Sequence, residues 1–265
     1  HYNAAIAFFR MGNLEQARFY SLRALDKFPK HLDSYYTLAM AAAEKKEWEE
    51  VLRYGKHYLE LLGFYEENPD QAGLIINNTM KEGPSINVLI GHAFHARGNH
   101  DEMERYYRNA CKLSDDKWQV WWNIGTFHMD RSEDFTLARH YLELALQESP
   151  EEQSVWYMLA KLNSKTGTID EEKKCLEYLY NAGTQDVMVL NRLASLSLDL
   201  SDLTAARRAL DAVMNLDPAN YLAFYHRGIL HKLQNIPDKA IEAFSRAIEI
   251  SPQEASPWMH LGEIT

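Results

Sequence analysis

The stretch "YLAFYHRGILHKLQNIPDKAIEAFSRAIEISP", Tyr221 to Pro252, sets the pattern by which the rest of the chain can be interpreted. It aligns without a gap over "VMVLNRLASLSLDLSDLTAARRALDAVMNLDP", Val187 to Pro218, at a spacing of 34 residues. Gly228 then falls over Ala194, so a small residue recurs at the same position. Self-similarity at a period of this length predicts one structural unit repeated along the chain.

Further steps of the same length extend the repeat in both directions. One step forward from Phe224 reaches Trp258, and one step back from Leu190 reaches Trp156; the next step back takes 35 residues and reaches Trp121. The predicted units start near residues 1, 32, 84, 118, 153, 187, 221 and 255, the first and last being partial. We expect residues 1–265 to form a single array that is a fragment of a longer protein.

Each unit contains two amphipathic runs separated by a turn of about three residues, a pattern that predicts a pair of antiparallel helices. Small residues recur at the eighth and twentieth positions, where a larger side chain would hold the two helices apart. A proline near position 32 ends the second helix before the next unit begins.

This pattern resembles the tetratricopeptide repeat (TPR) family, whose consensus is W-x-x-L-G-x-x-Y, then A-x-x-x-F-x-x-A, then P. Trp258, Leu261 and Gly262 carry the first part of it in the last unit. The resemblance implies an all-α fold, a right-handed superhelical solenoid of antiparallel helix hairpins. Departures occur at Met103 and Glu172, where a small residue is usual, and at Arg227, where an apolar residue is usual.

Residues 66–83 interrupt the repeat between the second and third units, because the unit starts at Leu32 and Pro84 lie 52 residues apart rather than 34. Pro69 suits a first helical position, and apolar residues at helical spacing follow it. We predict an additional short helix from about Pro69 to Met80, after a second helix extended to about Tyr65, with a loop as the alternative. The inserted segment would serve as a groove lid, a packing wedge or a contact site, and it would distinguish this array from other members of the family.

The resemblance implies that positions 2, 5, 6, 9, 12 and 13 of each first helix line a concave groove that binds peptides. Aromatic, amide and basic side chains dominate these positions. The predicted groove residues are Tyr36, Met40, His92, His95, Trp122, Asn123, Thr126, Tyr157, Lys161, Lys165, Asn191, Arg192, Tyr225, His226 and Lys232.

Two features of this lining suggest what it binds. Asn123 and Asn191 can donate and accept hydrogen bonds along an extended peptide backbone, although they could instead cap neighbouring helices. Four cations, the two groove lysines of the unit starting at 153 together with Arg192 and Lys232, would favour an acidic segment or a terminal carboxylate. They resemble, without reproducing, the Lys-Asn-Asn-Lys-Arg carboxylate clamp of some family members, and a plain solvated face is the alternative.

Composition limits the other classes of function. A formal net charge of -10 argues against a nucleic-acid partner, and no apolar run is long enough for insertion into a membrane. Two isolated cysteines favour a reducing, cytoplasmic location and no disulfide framework. His92 and His95 lie one helical turn apart, but no further ligand completes a metal site.

No catalytic motif occurs, so we expect no enzymatic activity and no cofactor. The leading hypothesis is a protein-protein interaction scaffold that holds a peptide or partner segment in its groove. The alternatives are a TPR module appended to a larger bacterial enzyme such as a glycosyltransferase, or a structural, oligomerisation subunit whose oligomeric state the sequence leaves open.

Overall fold

The computed structural model describes residues 1–68, 70 and 82–264. These residues contain fifteen α-helices and no strand, which confirms the predicted all-α fold. The helices are α1 (Tyr2–Arg10), α2 (Leu14–Lys27), α3 (Leu32–Glu44), α4 (Trp48–Glu67), α5 (Gly83–Ala96), α6 (His100–Lys112), α7 (Lys117–Asp130), α8 (Phe135–Glu148), α9 (Gln153–Thr166), α10 (Ile169–Asn181), α11 (Val187–Asp199), α12 (Leu203–Leu216), α13 (Tyr221–Leu233), α14 (Pro237–Ile250) and α15 (Ala255–Ile264).

Short polar side chains begin many of these helices by accepting a hydrogen bond from a first-turn backbone N–H, which would otherwise have no partner. Asp134 accepts from the N–H of Leu137 in this way, and Asp202 accepts from that of Ala205. The same capping occurs at Asn13, Asn99, Asp186 and Asn220.

The helices pair in chain order, α1 with α2, α3 with α4, α5 with α6, α9 with α10, α11 with α12 and α13 with α14. Glycine allows the closest approaches within these pairs. A Cβ at Gly228 would lie 2.5 Å from Phe244 Cε1, and one at Gly91 would collide with the ring of Tyr107. Both rings are fully buried, so these glycines admit an aromatic side chain where the paired helices meet.

Consecutive units are joined by an aromatic residue that donates a hydrogen bond to the carbonyl of the proline six residues earlier. Trp156 Nε1 donates to Pro150 at 2.7 Å, and Trp258 Nε1 donates to Pro252 at 3.1 Å. Near the start of the chain the hydroxyl of Tyr35 does the same to Pro29. The proline that ends one unit is thereby tied to the first helix of the next.

The chain forms two compact units, residues 1–127 and the residues from 128 onward. Organisation as a single array therefore stays a prediction. The additional helix predicted from Pro69 to Met80 falls outside the described residues, and α4 runs to Glu67, past its predicted end near Tyr65. No helix in the described part of the chain combines the length and apolar character needed to cross a membrane.

Candidate functional site

All the predicted groove residues lie on the first helix of a pair. In residues 1–127 they occupy α3, α5 and α7, and in the residues from 128 onward they occupy α9, α11 and α13. The two sets are described separately.

Tyr36 and Met40 on α3 are both half-buried. The ring of Tyr36 lies 6.2 Å from that of Tyr58. Burial raises the pKa of the Tyr36 phenol well above its ordinary value, and the nearby carboxylate of Glu82 adds to the rise. The hydroxyl of Tyr36 is thus kept neutral beside Glu82.

His92 on α5 is a packing residue as the structure places it. Its side chain is buried, its Nδ1 lies 2.7 Å from the hydroxyl of Tyr107, and its ring stacks on Phe127 with centroids 3.5 Å apart. His95, one turn later, is half-buried and has its ring 6.3 Å from that of His100. His92, predicted as a groove residue, therefore packs in the interior of residues 1–127.

The three predicted residues of α7 differ in how much they offer a ligand. Trp122 is half-buried, and Asn123 is exposed. The hydroxyl of Thr126 donates to the carbonyl of Trp122 at 2.8 Å, so its proton is used within the helix. Asn123 is the most accessible of the three.

Asn191 on α11 is a buried polar side chain of the predicted set. It is only 7% exposed, and its Nδ2 donates to Asn220 Oδ1 at 3.2 Å. Its own Oδ1 is buried and accepts no hydrogen bond within the described part of the chain. A buried acceptor without a donor is destabilising, so a ligand N–H or a water would be favoured there.

Each of the three groove lysines lies near a carboxylate on another first helix. Lys161 and Lys165 on α9 place their Nζ atoms 3.4 and 3.9 Å from Asp130 Oδ1. Lys232 on α13 places Nζ 2.5 Å from Glu263 Oε2. All these groups are more than a quarter exposed, so the pairs are weak and can exchange partners.

Arg192 is held more firmly than the lysines. Its Nε and Nη2 donate to the two carboxylate oxygens of Glu172 at 2.6 and 2.9 Å, in a bidentate pair. Hydrogen bonding to Glu172 raises the pKa of the Arg192 guanidinium. Glu172, which departs from the small residue usual at its position, is buried and serves as the fixed partner of this arginine.

Aromatic rings gather around Tyr225 on α13. Its ring lies 5.3 Å from that of His226, 5.9 Å from that of His260 and 6.1 Å from that of Phe244. Burial lowers the pKa of His226. On α9, Tyr157 is 45% exposed, so it presents an open aromatic face on the same series of first helices.

Sequence reasoning missed two groups of residues here. One is the set of carboxylates, Asp130, Glu172 and Glu263, that pair with the predicted cations. The other is a set of exposed apolar side chains on α11, α13 and α15, namely Met188, Leu222 and Met259. The repeat frame contained the signal for the second group, because Met188 and Leu222 occupy position 2 of their units and Met259 occupies position 5.

Metal binding finds no support in the arrangement of ligand-type side chains. Within the residues that the structure describes, no group of three or more His, Cys, Asp and Glu side chains is placed to hold a metal ion. Cys111 and Cys175 are both buried.

Comparisons with known proteins agree on the fold. Two sequence models described as tetratricopeptide repeat match the chain, one over residues 2–60 and 191–255 and the other over residues 84–117. Human protein O-mannosyl-transferase TMTC1 is 22% identical over 181 residues, which are 67% of this chain and 20% of that protein. The chain thus spans about a fifth of the length of this relative.

Two solved structures show the same architecture. The C-terminal part of a TPR repeat-containing protein from Cytophaga hutchinsonii aligns over 98% of this chain and 99% of its own, with a TM-score of 0.66 and 13% identity. YrrB, described as a TPR protein with an unusual peptide-binding site, aligns over 68% of this chain and 92% of its own, with a TM-score of 0.53 and 20% identity. At these identities the likeness concerns the fold.

Proposed function

Because this chain belongs to the tetratricopeptide repeat family, we propose that it is a protein-interaction scaffold whose first helices bind an extended peptide segment of a partner. Repeat proteins of this kind use extended surfaces along their stacked helix pairs for binding, and such a surface can support a long ligand. The peptide-binding site in the description of YrrB, a protein of the same fold, is consistent with this role. Cytoplasm is the compartment we propose for it.

The observation that carries the proposal is a set of four exposed apolar side chains in the residues from 128 onward. Tyr157, Met188, Leu222 and Met259 are 45%, 79%, 39% and 66% exposed, and all occupy position 2 or 5 of successive first helices. Full burial of one such side chain stabilises a complex by about 1.5 to 3 kcal/mol. Four together are a sufficient source of affinity for a peptide carrying apolar anchors.

Hydrogen bonding would fix the register of the bound peptide. In the residues from 128 onward, the unsatisfied Oδ1 of Asn191 is suited to accept a peptide N–H. Within residues 1–127, taken by itself, exposed Asn123 can both donate and accept. Each such bond contributes about 0.5 to 1.5 kcal/mol net. The amides therefore select an extended backbone, while the four apolar side chains supply most of the affinity.

The three groove lysines would add a preference for an acidic peptide segment. A ligand carboxylate can replace Asp130 or Glu263 at little cost, because those pairs are solvent-exposed. Arg192 would not take part, since releasing Glu172 would leave a buried carboxylate without its partner. We therefore propose that the acidic preference acts through Lys161, Lys165 and Lys232.

A peptide-display selection followed by fluorescence anisotropy tests this function. Peptides selected on the wild-type chain should lose most of their affinity for a variant in which Met188, Leu222 and Met259 are serine. The matched control replaces three exposed apolar residues outside the groove positions, Leu200, Leu216 and Ile236, with serine, and it should bind normally.

A second variant addresses the polar contacts. Asn191→Ala and Lys161→Ala combined should weaken binding at least tenfold. Unchanged binding in this variant, or equal losses in the serine variant and its control, would exclude the groove as the binding surface.

The similarity to human protein O-mannosyl-transferase TMTC1 favours a second candidate, a TPR module appended to a larger sugar-transferring enzyme. In that case the groove would hold a substrate or partner protein for a transferase domain elsewhere in the same polypeptide. Sequencing the full coding region decides this point. A nucleotide- or lipid-linked sugar transferase domain in the same reading frame would support the appended module, and a chain composed of repeats alone would exclude it.

A further inference from the structure

A second cleft lies between α13 and α14, on a different face of α13 from the groove. Phe224, Arg227 and His231 line it at i, i+3 and i+7 spacing, whereas the groove positions of the same helix carry Tyr225 and Lys232. Lys239, Glu242, Ala243, Ser245, Arg246 and Glu249 of α14 complete its lining. Its volume is about 590 Å³, within the range of sites that hold small molecules.

The equivalent cleft one repeat earlier is much smaller. It lies between α10, α11 and α12, and its volume is about 110 Å³. Moving 34 residues along the chain replaces its Leu193 with Arg227 and its Ala205 with Lys239. The same step replaces Tyr180, which lines the smaller cleft, with Met214, which is not among the residues that line the larger one. The later cleft is both larger and more positively charged than its predecessor.

Arg227 is exceptional for its position in the repeat. Position seven of the earlier complete units holds an apolar residue that is at most 5% exposed, namely Leu38, Ile90, Ile124, Leu159 and Leu193. A guanidinium there is costly unless oppositely charged or polar groups surround it. Its ion-pair partner is Asp211, 3.7 Å from Nη2, and its Nη1 faces the sulfur of Met214. Arg227 thus retains donors that can bind an anion.

Among the other charged side chains of the cleft, one cation forms no ion pair with the described residues. Arg246 pairs with Glu249 at 2.5 Å, and Glu242 is exposed beside them. Lys239 has no ion pair within 4.0 Å among the described residues, so its ammonium is available to a ligand. Arg227 and Lys239 approach the cleft from different helices, which allows both to hold a single group.

The pKa of His231 is affected by the positive charges around the cleft. Burial lowers the pKa of its imidazole, a hydrogen bond with Gln234 opposes the fall, and the charges of Arg227, Lys239 and Arg207 lower it further. Its Nδ1 is buried and has no hydrogen-bond partner within the described chain. An imidazole kept neutral can serve as a donor or an acceptor to a bound group.

We propose that this cleft binds a phosphate monoester, with Arg227 and Lys239 on the phosphate oxygens, His231 as a further contact and Phe224 against the organic part. A phosphate presents three oxygens and close to two negative charges at neutral pH, which suits cations approaching from two directions. A carboxylate has one charge and two oxygens in one plane, so it engages fewer of these groups. This site is independent of the proposed peptide groove.

Isothermal titration calorimetry on the purified chain tests the proposal with three probes, phenyl phosphate, inorganic phosphate and benzoate. Phenyl phosphate should bind most tightly, and its affinity should fall as the salt concentration rises. Arg227→Leu, which restores the residue type of the equivalent position, and Lys239→Ala should each weaken binding by about tenfold or more. The matched control is Lys174→Ala, an exposed lysine on α10 outside the cleft, and it should leave binding unchanged.

The three probes separate the possible sources of the affinity. If inorganic phosphate binds as tightly as phenyl phosphate, the organic part of the ligand contributes no affinity and that part of the proposal is wrong. If benzoate binds as tightly as phenyl phosphate, the assignment to phosphate is overturned. Absence of binding, or binding that survives both Arg227→Leu and Lys239→Ala, would overturn the site itself. Lys239 is exposed, so Lys239→Ala remains informative even if Arg227→Leu alters the packing between helices.

Discussion

At the scale of single residues, one backbone conformation repeats with the same period as the sequence. A residue in the left-handed region occurs in the turn within each helix pair, with φ between 54° and 74°. From Gly98 onward these residues lie 34 or 35 apart, and the series is Gly12, Lys46, Gly98, Glu133, Gly167, Ser201 and Asn235. Glycine adopts this conformation without strain, whereas Lys46, Glu133 and Ser201 do not.

Ser201→Gly should therefore stabilise the protein. Relief of the left-handed strain outweighs the additional entropy of a glycine in the unfolded chain, and the free energy of unfolding should rise by about 0.5 kcal/mol. The reverse change at the equivalent turn, Gly167→Ala, should lower it by about 1 kcal/mol. Urea unfolding followed by circular dichroism measures both values. The control is Ser164→Gly, an exposed position inside α9, where glycine should destabilise the helix instead.

His226 links stability to pH through its burial. Its pKa lies below the ordinary value of 6.5 in the folded chain, so the unfolded chain binds the proton first as the pH falls. Stability should thus be retained above about pH 6.5 and decrease between that pH and the lower folded pKa. His31 and His231, whose pKa values burial also lowers, act in the same direction, while Asp33, whose pKa burial raises, acts in the opposite one.

His226→Asn should make this loss smaller. Thermal melts at pH 7.5 and pH 5.5 measure the change, and the melting temperature of the variant should fall less between the two pH values than that of the wild type. His100→Asn, at an exposed position, serves as the control. A variant that follows the wild-type pH profile would show that His226 does not carry the effect.

At the scale of helices, the close approach within a pair depends on two residues sixteen positions apart. Gly91 faces Tyr107 and Gly228 faces Phe244, whereas the corresponding positions of two other units hold alanine with leucine, Ala160 with Leu176 and Ala194 with Leu210. Each combination fills the same space between two helices, either with a large ring and no Cβ or with a smaller side chain and a methyl group. Among these four units the combined volume of the two side chains varies less than the volume of either residue.

Gly228→Ala should therefore destabilise the protein by about 1 to 3 kcal/mol, because the new Cβ would lie 2.5 Å from Phe244 Cε1. Adding Phe244→Leu, which recreates the combination of the preceding unit, should recover part of this loss, so the two changes should not be additive. Gly262→Ala on α15, where a Cβ meets nothing within 4 Å, is the control and should cause no loss. Additive effects in the double variant would contradict this explanation.

At the scale of the whole molecule, the main contacts join helices that are one or two apart in chain order. A chain built in this way behaves as a sum of local stabilities and nearest-neighbour interfaces, so a local change need not reach distant helices. The two compact units, residues 1–127 and the residues from 128 onward, are consistent with this description.

Hydrogen exchange in the Gly228→Ala variant tests this locality. Amides of α13 and α14 should exchange faster than in the wild type, while those of α1 to α4 should keep their protection, because none of the main contacts joins these two sets of helices. Mass spectrometry of peptic fragments gives both values from one sample. A uniform acceleration across all helices would show that the chain unfolds as one cooperative unit.

Most of the fold could be predicted from the sequence, whereas much less of the candidate site could. Periodic apolar positions, small residues such as Gly228 and the recurring prolines define helices and their pairing, since these depend on residues within one unit. They also indicate which face of a helix a residue occupies, as for Tyr157. Position in the repeat does not reveal what covers that face, and for this reason His92 was assigned to the groove although Phe127 and Tyr107 enclose it.

The sequence by itself determined the helical repeat, its family and the faces that could carry a ligand. Only the tertiary structure decided which of those side chains remain available, as it paired Arg192 with the buried Glu172, left Lys232 in an exposed pair with Glu263, and formed a cationic cleft beside Arg227. The physical reason is that helix faces follow from a local period of 3.6 residues. Ion pairs and clefts instead depend on how two helices are offset from each other, and each interface sets that offset through its own side chains.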